Sequence, residues 1–275
     1  MEPKQRLIEV LSVPSFSGKE SKMTQYILDY CQKHELSAYS DEYGNVYVTK
    51  GQAEVYPCVV SHIDTVHPIT EMQVRDAGDV LFAMTPDGRR TGIGGDDKAG
   101  VFVCLEMLMS LDVLKAAFFV AEEVGCLGSY LSDRKFFENV GYAIQFDAPY
   151  HDWISYRSDG IQLFELDSEF FQKIEPIFQS DMRGYSRKCL GNHPYTDVSA
   201  LKRLYDFACI NYSVGYERMH SPHEIVVVSN VLSCLEMAKK MVFSLGNTKY
   251  ELASRELVSE GYIDRVKRRM IQMML

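Results

Sequence analysis

Three short, largely apolar runs, Val55–Val60, Lys115–Val120 and Tyr142–Phe146, restrict the fold of this chain more than any other feature. Each is too short for a stable helix and lacks the polar alternation of a half-exposed strand, so each reads as a strand buried on both faces. Helical patterns separate them, Lys98–Ser110 between the first two and Ser129–Phe137 between the last two. Strands that alternate with helices form a parallel sheet whose crossovers cover both faces. The predicted class is therefore α/β, a three-layer αβα sandwich around a mostly parallel mixed sheet.

The remaining elements extend this plan. Helices are predicted over Pro3–Val13, Ser21–His34, Ser168–Ser180, Thr196–Leu204 and Ser229–Leu245, from apolar residues at helical spacing. Strands are predicted over Ala38–Asp41, Val46–Thr49 and Phe207–Ser213, with Tyr43-Gly44-Asn45 as a turn between the first two, and a strand pair over Glu71–Arg75 and Val80–Met84. No linker or repeat interrupts the chain, so residues 1–248 read as one catalytic domain and 249–275 as a C-terminal amphipathic helix. That helix reads as packing on its own domain, with self-association as the alternative.

Composition narrows the function classes. A formal net charge of −9 offers no basic excess to displace counterions from a nucleic acid, so no nucleic-acid partner is expected. Seven cysteines form no CxxC pair and their odd number cannot all pair within the chain, which favours reduced thiols and a cytoplasmic location. The opening residues have no long apolar core and no run of about 18 apolar residues occurs, so neither export nor a membrane partner is expected.

Chemistry-bearing residues follow the buried runs. Ser61-His62-Ile63-Asp64-Thr65 comes directly after the first, where open α/β sheets place their sites. His62 there suits a metal and Asp64 its orientation, although the pair alone also reads as a surface His beside a loop Asp. Gly92-Ile93-Gly94-Gly95-Asp96-Asp97-Lys98-Ala99-Gly100 brings two carboxylates to a helix start; a phosphate loop is the competing reading, but it would end in Gly-Lys-Ser/Thr. Glu122 and Glu123 follow the second run, and two carboxylates at a buried strand end are costly unless solvated, paired or metal-bound. Asp147 closes the third run, and Met219-His220-Ser221-Pro222-His223-Glu224 follows Phe207–Ser213.

These five segments, in this order, resemble the co-catalytic zinc exopeptidases, which include peptidase T, carboxypeptidase G, the aminoacylases and the tetrahedron-forming aminopeptidases. The resemblance extends to Ile8–Glu20 with its Pro-Ser-x-Ser-Gly-x-Glu turn, to Tyr195-Thr196-Asp197 and to Val214–Glu224, and covers about residues 5 to 245. It implies two divalent metal ions per chain, zinc with cobalt or manganese as substitutes. Asp96 would bridge them, His62 and Asp147 would complete one position, and Glu123 and His220 the other. Glu122 would be the general base, Asp64 would orient His62, and the Asp96–Asp97 peptide would be cis. His223, His67 and His193 stand as alternatives to His220.

Many members of that family carry a second, lid domain after the position of Asp147. Here 47 residues separate Asp147 from Tyr195, and residues 149–194 read as a short replacement holding a strand, a helix and a loop. Tyr156, Arg157, Arg183, Tyr185 and His193 are its candidates for shaping a pocket. The expected activity is an aminopeptidase on short peptides. An N-acyl amino acid amidohydrolase is the alternative, and a non-catalytic binding protein on the same fold a third reading.

Overall fold

The computed structural model describes residues 2–251 and 258–275. Its strands are β1 (Ser37–Ser40), β2 (Val46–Lys50), β3 (Tyr56–His62), β4 (Gln73–Asp76), β5 (Val80–Met84), β6 (Arg90–Thr91), β7 (Leu114–Phe119), β8 (Val140–Ala148), β9 (Ile154–Ser158), β10 (Ile161–Gln162), β11 (Leu190–His193), β12 (Ala208–Ser213), β13 (Tyr216–Glu217) and β14 (Ile225–Val227). The helices are α1 (Pro3–Ser12), α2 (Ser21–Lys33), α3 (Gly95–Ser110), α4 (Leu127–Tyr130), α5 (Arg134–Phe137), α6 (Glu169–Asp181), α7 (Asp197–Leu204), α8 (Val228–Leu245) and α9 (Glu260–Met274).

The main sheet runs in the order β1-β2-β7-β3-β8-β12-β9-β10, with β11 also paired to β9. Its centre, β7-β3-β8-β12, is parallel, whereas β1, β2 and β9 join antiparallel at the flanks. Every residue of β3 and β7 is buried, as unbroken apolar runs require when helices cover both sides. On one face α3 packs on β3, β7 and β8, with α1 and α8 against it. From the other, α7 packs on β3, β8 and β12, with α4 and then α9 beyond it. The α/β sandwich with a mixed sheet is thus the architecture of the chain.

Several details differ from the sequence reading, each for a local reason. The helix predicted over Ser129–Phe137 is two short helices, because Asp133 is extended and its carboxylate accepts Lys135 N–H to cap α5. The third buried strand runs on to Ala148, so Asp147 lies inside β8 and not after it. Its N–H is held by Asn211 Oδ1 at 2.8 Å from the neighbouring β12. A second, antiparallel sheet, β13-β14-β5-β4 with β6 on β5, was expected only as its β4–β5 pair. Residues 149–194 contribute β9, β10 and β11, which lengthen the main sheet, and α6, which packs on α8. Asp96 and Asp97 are non-helical within α3, so its regular turns begin at Lys98.

The predicted C-terminal helix is present as α9; the part of that prediction on residues 252–257 lies outside the described residues. Tyr262 meets Tyr130 edge-on at 5.0 Å, and Arg269 donates to the carbonyl of Val124 at 2.7 Å. The last helix therefore braces the turn that follows β7. No helix among the described residues is long and apolar enough to cross a membrane.

Asn45 braces the same turn from the other side. Its buried amide accepts Val120 N–H at 3.1 Å and donates to Asp41 and to the carbonyl of Gly128. Truncation to alanine leaves the Val120 N–H buried without this partner, so Asn45→Ala is expected to lower stability by about 2 kcal/mol. A urea midpoint unchanged from the parent protein would show that these bonds do not hold the turn.

Candidate metal centre

The parallel strands β7, β3 and β8 end side by side, and each delivers its polar residues to the same edge. His62 is the last residue of β3 and Asp147 the penultimate residue of β8. Glu122 and Glu123 follow β7 through Ala121, whose φ of 57° turns the chain sharply. Asp96 arrives on the glycine turn before α3. There Gly94 has φ +67°, and a Cβ on it would lie 2.7 Å from Thr65 Cγ2, so only glycine lets this turn settle on the β3 loop. His220, at φ 58°, closes the cluster from the loop before β14.

The donor atoms converge on two adjoining points. His62 Nε2 is 3.1 Å from Asp96 Oδ1 and 3.6 Å from Asp147 Oδ1. His220 Nε2 is 3.1 Å from Asp96 Oδ2 and 3.1 Å from Glu123 Oε2. The two oxygens of Asp96 thus face the two histidines, one each. Glu122 Oε2 stands 3.9 Å from His62 Nε2. Among the histidine alternatives, His223 is exposed and joins neither group of close ligand atoms among the described residues, His67 faces Glu224 at 3.5 Å, and His193 lies on the wall of the adjoining pocket. The Asp96–Asp97 peptide is cis.

Asp97 also comes within ligand distance of His62 and Asp147, yet its carboxylate is already engaged. It accepts from Ser61 Oγ at 2.7 Å, from His62 N at 3.3 Å and from Gly100 N at 3.2 Å, and so caps the regular part of α3. Asp96 is the freer of the two. Asp64 differs from its expected role in emphasis. His62 Nδ1 is 2.9 Å from the backbone carbonyl of Asp64 and 3.4 Å from its carboxylate, which chiefly accepts the N–H groups of Glu122 and Glu123 and the hydroxyl of Ser17. One residue thereby fixes the histidine and the glutamate turn together.

Other supporting residues carry little or no local signal in the sequence. Glu224, fully buried, accepts Gly94 N–H at 2.8 Å and Asp96 N–H at 3.0 Å, tying the His220 loop to the glycine turn. Asp147 is held by Thr196 Oγ1 at 2.8 Å and by Tyr216 Oη at 3.2 Å. Asp197 is buried close by. The Thr196–Asp197 pair and Glu224 lie in motifs visible in the sequence; Tyr216 falls within the Val214–Glu224 stretch without being marked as functional there, and Asn211 lies in none.

Electrostatically this is a crowd of buried carboxylates. Burial, reinforced by Asp147, Asp197 and Glu123 against the pull of His62, raises Glu122 well above the usual carboxylate range. Burial likewise brings Glu123 and Asp197 up to about 7 and raises Asp147. Hydrogen bonds to Asp96 and Glu123 raise His220 to about 10. Burial opposes the charge on His62, but Glu122, Asp147, Asp64 and Asp96 together hold it well above its ordinary value. Such a set is compensated by cations, and its mixed imidazole and carboxylate donors suit zinc, cobalt or manganese. Glu123 Oε1 is buried with no hydrogen-bond partner among the described residues, an acceptor left for a ligand.

A cavity of about 360 Å³ opens beside the cluster. Asp96, Glu122, Glu123 and Asp147 form its floor, and Trp153, His193, Tyr195 and Met219 stand on its walls. Of the residues proposed from segment 149–194 only His193 lines it. Arg157 and Arg183 are exposed elsewhere, Tyr156 packs on the core, and Tyr185 bonds Glu175.

No protein-family model matches the chain. Among curated proteins it is similar to a LysW-lysine hydrolase of Deinococcus radiodurans, with 24% identity over 144 residues; the match spans 51% of this chain and 36% of that relative. Among solved structures it is similar to aminopeptidase PepT from Bacillus cereus, with a TM-score of 0.74 and 13% identity over 88% of this chain and 98% of that one. A tripeptidase from Staphylococcus aureus gives 0.72 and 12% over 87% and 96%. The Pyrococcus horikoshii TET1 peptidase, which can assemble into a tetrahedron or a large octahedral shell, gives 0.65 and 15% over 87% and 99%. The chain therefore has the fold shared by these peptidases.

Two outcomes follow from the geometry. A metal entering the cluster displaces protons, so zinc affinity should strengthen as pH rises through about 7, where Glu123 ionises, with proton release from His220. Calorimetric titration in buffers of different ionisation heat measures this, and uptake without proton release would reject the ligand set. Removing the brace, Glu224→Ala, should weaken metal affinity by ~10–100-fold while circular dichroism stays unchanged; parental affinity would show that Glu224 does not position Asp96.

Proposed function

We propose that the protein is a dinuclear metal-dependent hydrolase that acts as an aminopeptidase on short peptides. The observation that carries this reading is Asp96, whose two carboxylate oxygens face His62 and His220 separately at 3.1 Å. In this reading His62, Asp96 and Asp147 hold one divalent ion, and Asp96, Glu123 and His220 the other, with zinc as the first choice. Bound ions of this kind lower the pKa of a water and polarise the scissile carbonyl.

The chain's own groups supply the rest. Glu122 lines the cavity, and burial with acidic neighbours gives its carboxylate a high proton affinity, the property needed to take a proton from the attacking water. It then returns that proton to the leaving amine. Cys126 Sγ, 3.6 Å from Glu122 Oε1, and the backbone anchoring by Asp64 keep the carboxylate in place. The fold shared with an aminopeptidase and a tripeptidase supports the peptide substrate. All seven cysteines are free, which fits a reducing compartment, the cytoplasm. The amidohydrolase alternative is less well supported, because an N-acyl amino acid presents a carboxylate and, among the described residues, no lysine or arginine lines the cavity.

The decisive variant is Glu122→Gln. It should retain about two metal ions per chain and lose ~10²–10⁴-fold in kcat on aminoacyl amides and dipeptides. Metal content by elemental analysis and steady-state turnover measure the two separately; near-parental turnover would overturn the assignment of the base.

A further inference from the structure

Trp153, the single tryptophan of the chain, sits on the wall of the cavity with 37% of its surface exposed. Tyr195 and Met219, also on the walls, are 47% and 37% exposed. Large apolar side chains gathered at the mouth of a carboxylate-floored cavity are a costly surface unless something covers them. Trp153 is also held rigidly. Its backbone N–H donates to Ser213 Oγ at 2.8 Å, its backbone carbonyl accepts Ser213 N–H at 3.0 Å, and its ring stacks on His193 at 4.6 Å with 8° between planes. His193 in turn is bonded through Nδ1 to Ser155 Oγ, and Tyr150 flanks the indole at 5.9 Å. Burial lowers the pKa of His193, which favours the uncharged imidazole under the indole. The result is an uncharged, pre-set aromatic wall, assembled where β11 pairs with β9.

We propose that the Trp153–His193 stack is the side-chain subsite of this centre, receiving a large aliphatic or aromatic side chain next to the scissile bond of a substrate with a free amine. The inference rests on the hydrolase reading above and names its substrate class. The free amine follows from the aminopeptidase reading, and among the described residues neither lysine nor arginine lines the cavity to accept an acidic side chain. Shape supports the apolar side chain, because a flat, immobile indole loses little conformational entropy on contact and offers a broad apolar face. Acidic side chains would give up hydration against an apolar face with no cationic side chain beside it among the described residues, and small ones leave the wall uncovered.

The test uses the zinc-loaded 275-residue chain and reads its lone indole directly. Tryptophan fluorescence, excited selectively over tyrosine, should shift on titration with L-leucinamide or L-phenylalaninamide and stay unchanged with L-glutamate or glycinamide. Absence of any shift, or an equal shift with glutamate, would overturn the subsite whatever the catalytic activity. In turnover, leucyl and phenylalanyl amides should exceed glutamyl and glycyl amides by roughly 10-fold or more in kcat/KM. Trp153→Ala should erase that preference mainly through KM, and an intact preference in that variant would equally overturn it. A selective fluorescence response without turnover of any amide would keep the subsite and reject the hydrolase reading. Turnover without side-chain preference or fluorescence response would do the reverse.

Discussion

The rest of the structure is arranged around a concentration of negative charge at one edge of a buried sheet. Asp64, Asp96, Asp97, Glu122, Asp147, Asp197 and Glu224 crowd together with little or no access to water. Isolated, each would cost several kcal/mol or would take up a proton. The fold answers by sorting them. Asp64, Asp97 and Glu224 are satisfied by backbone N–H groups and hydroxyls, which leaves Asp96, Glu123 and Asp147 directed at the two histidines. Internally satisfied carboxylates thus serve as rivets for the backbone, and the less satisfied ones remain available for cations.

Parallel strands make this sorting geometrically cheap. β7, β3 and β8 are parallel neighbours and end at the same edge, so the residues at their carboxyl ends meet even though the chain after β3 first makes β4, β5 and β6 before α3. The glycine turn before α3 and the His220 loop reach that edge from outside the strands, and both lean on Glu224. A cluster built from such distant segments draws its rigidity from the sheet, since no single loop holds more than part of it.

Much of this plan was legible in the sequence. Unbroken apolar runs identify β3, β7 and the greater part of β8, because burial on both faces leaves no polar alternation to confuse the reading. His62, Asp64, Glu122, Glu123 and Asp147 stand at the ends of those runs, and their neighbours in space follow from strand order. The second sheet was largely illegible, since its strands are two to five residues long and their identity depends on pairings such as Ile225 with Phe82. The roles of Tyr216 and Asn211 were illegible for a similar reason: they act on Asp147 from 69 and 64 residues away, through hydrogen bonds that no local pattern encodes. The aromatic wall likewise needs β11 to be placed beside β9 before Trp153 and His193 can meet. The split of Ser129–Phe137 into two helices turned on one capping aspartate.

The bond from Arg269 to the carbonyl of Val124 places the last helix of the chain under the turn that carries Glu122 and Glu123. During synthesis this turn leaves the ribosome long before its support does, and the final brace exists only once residues 260–274 have emerged and docked. The acidic edge thus owes part of its rigidity to a segment 145 residues downstream, and it is fully braced only when that segment has docked.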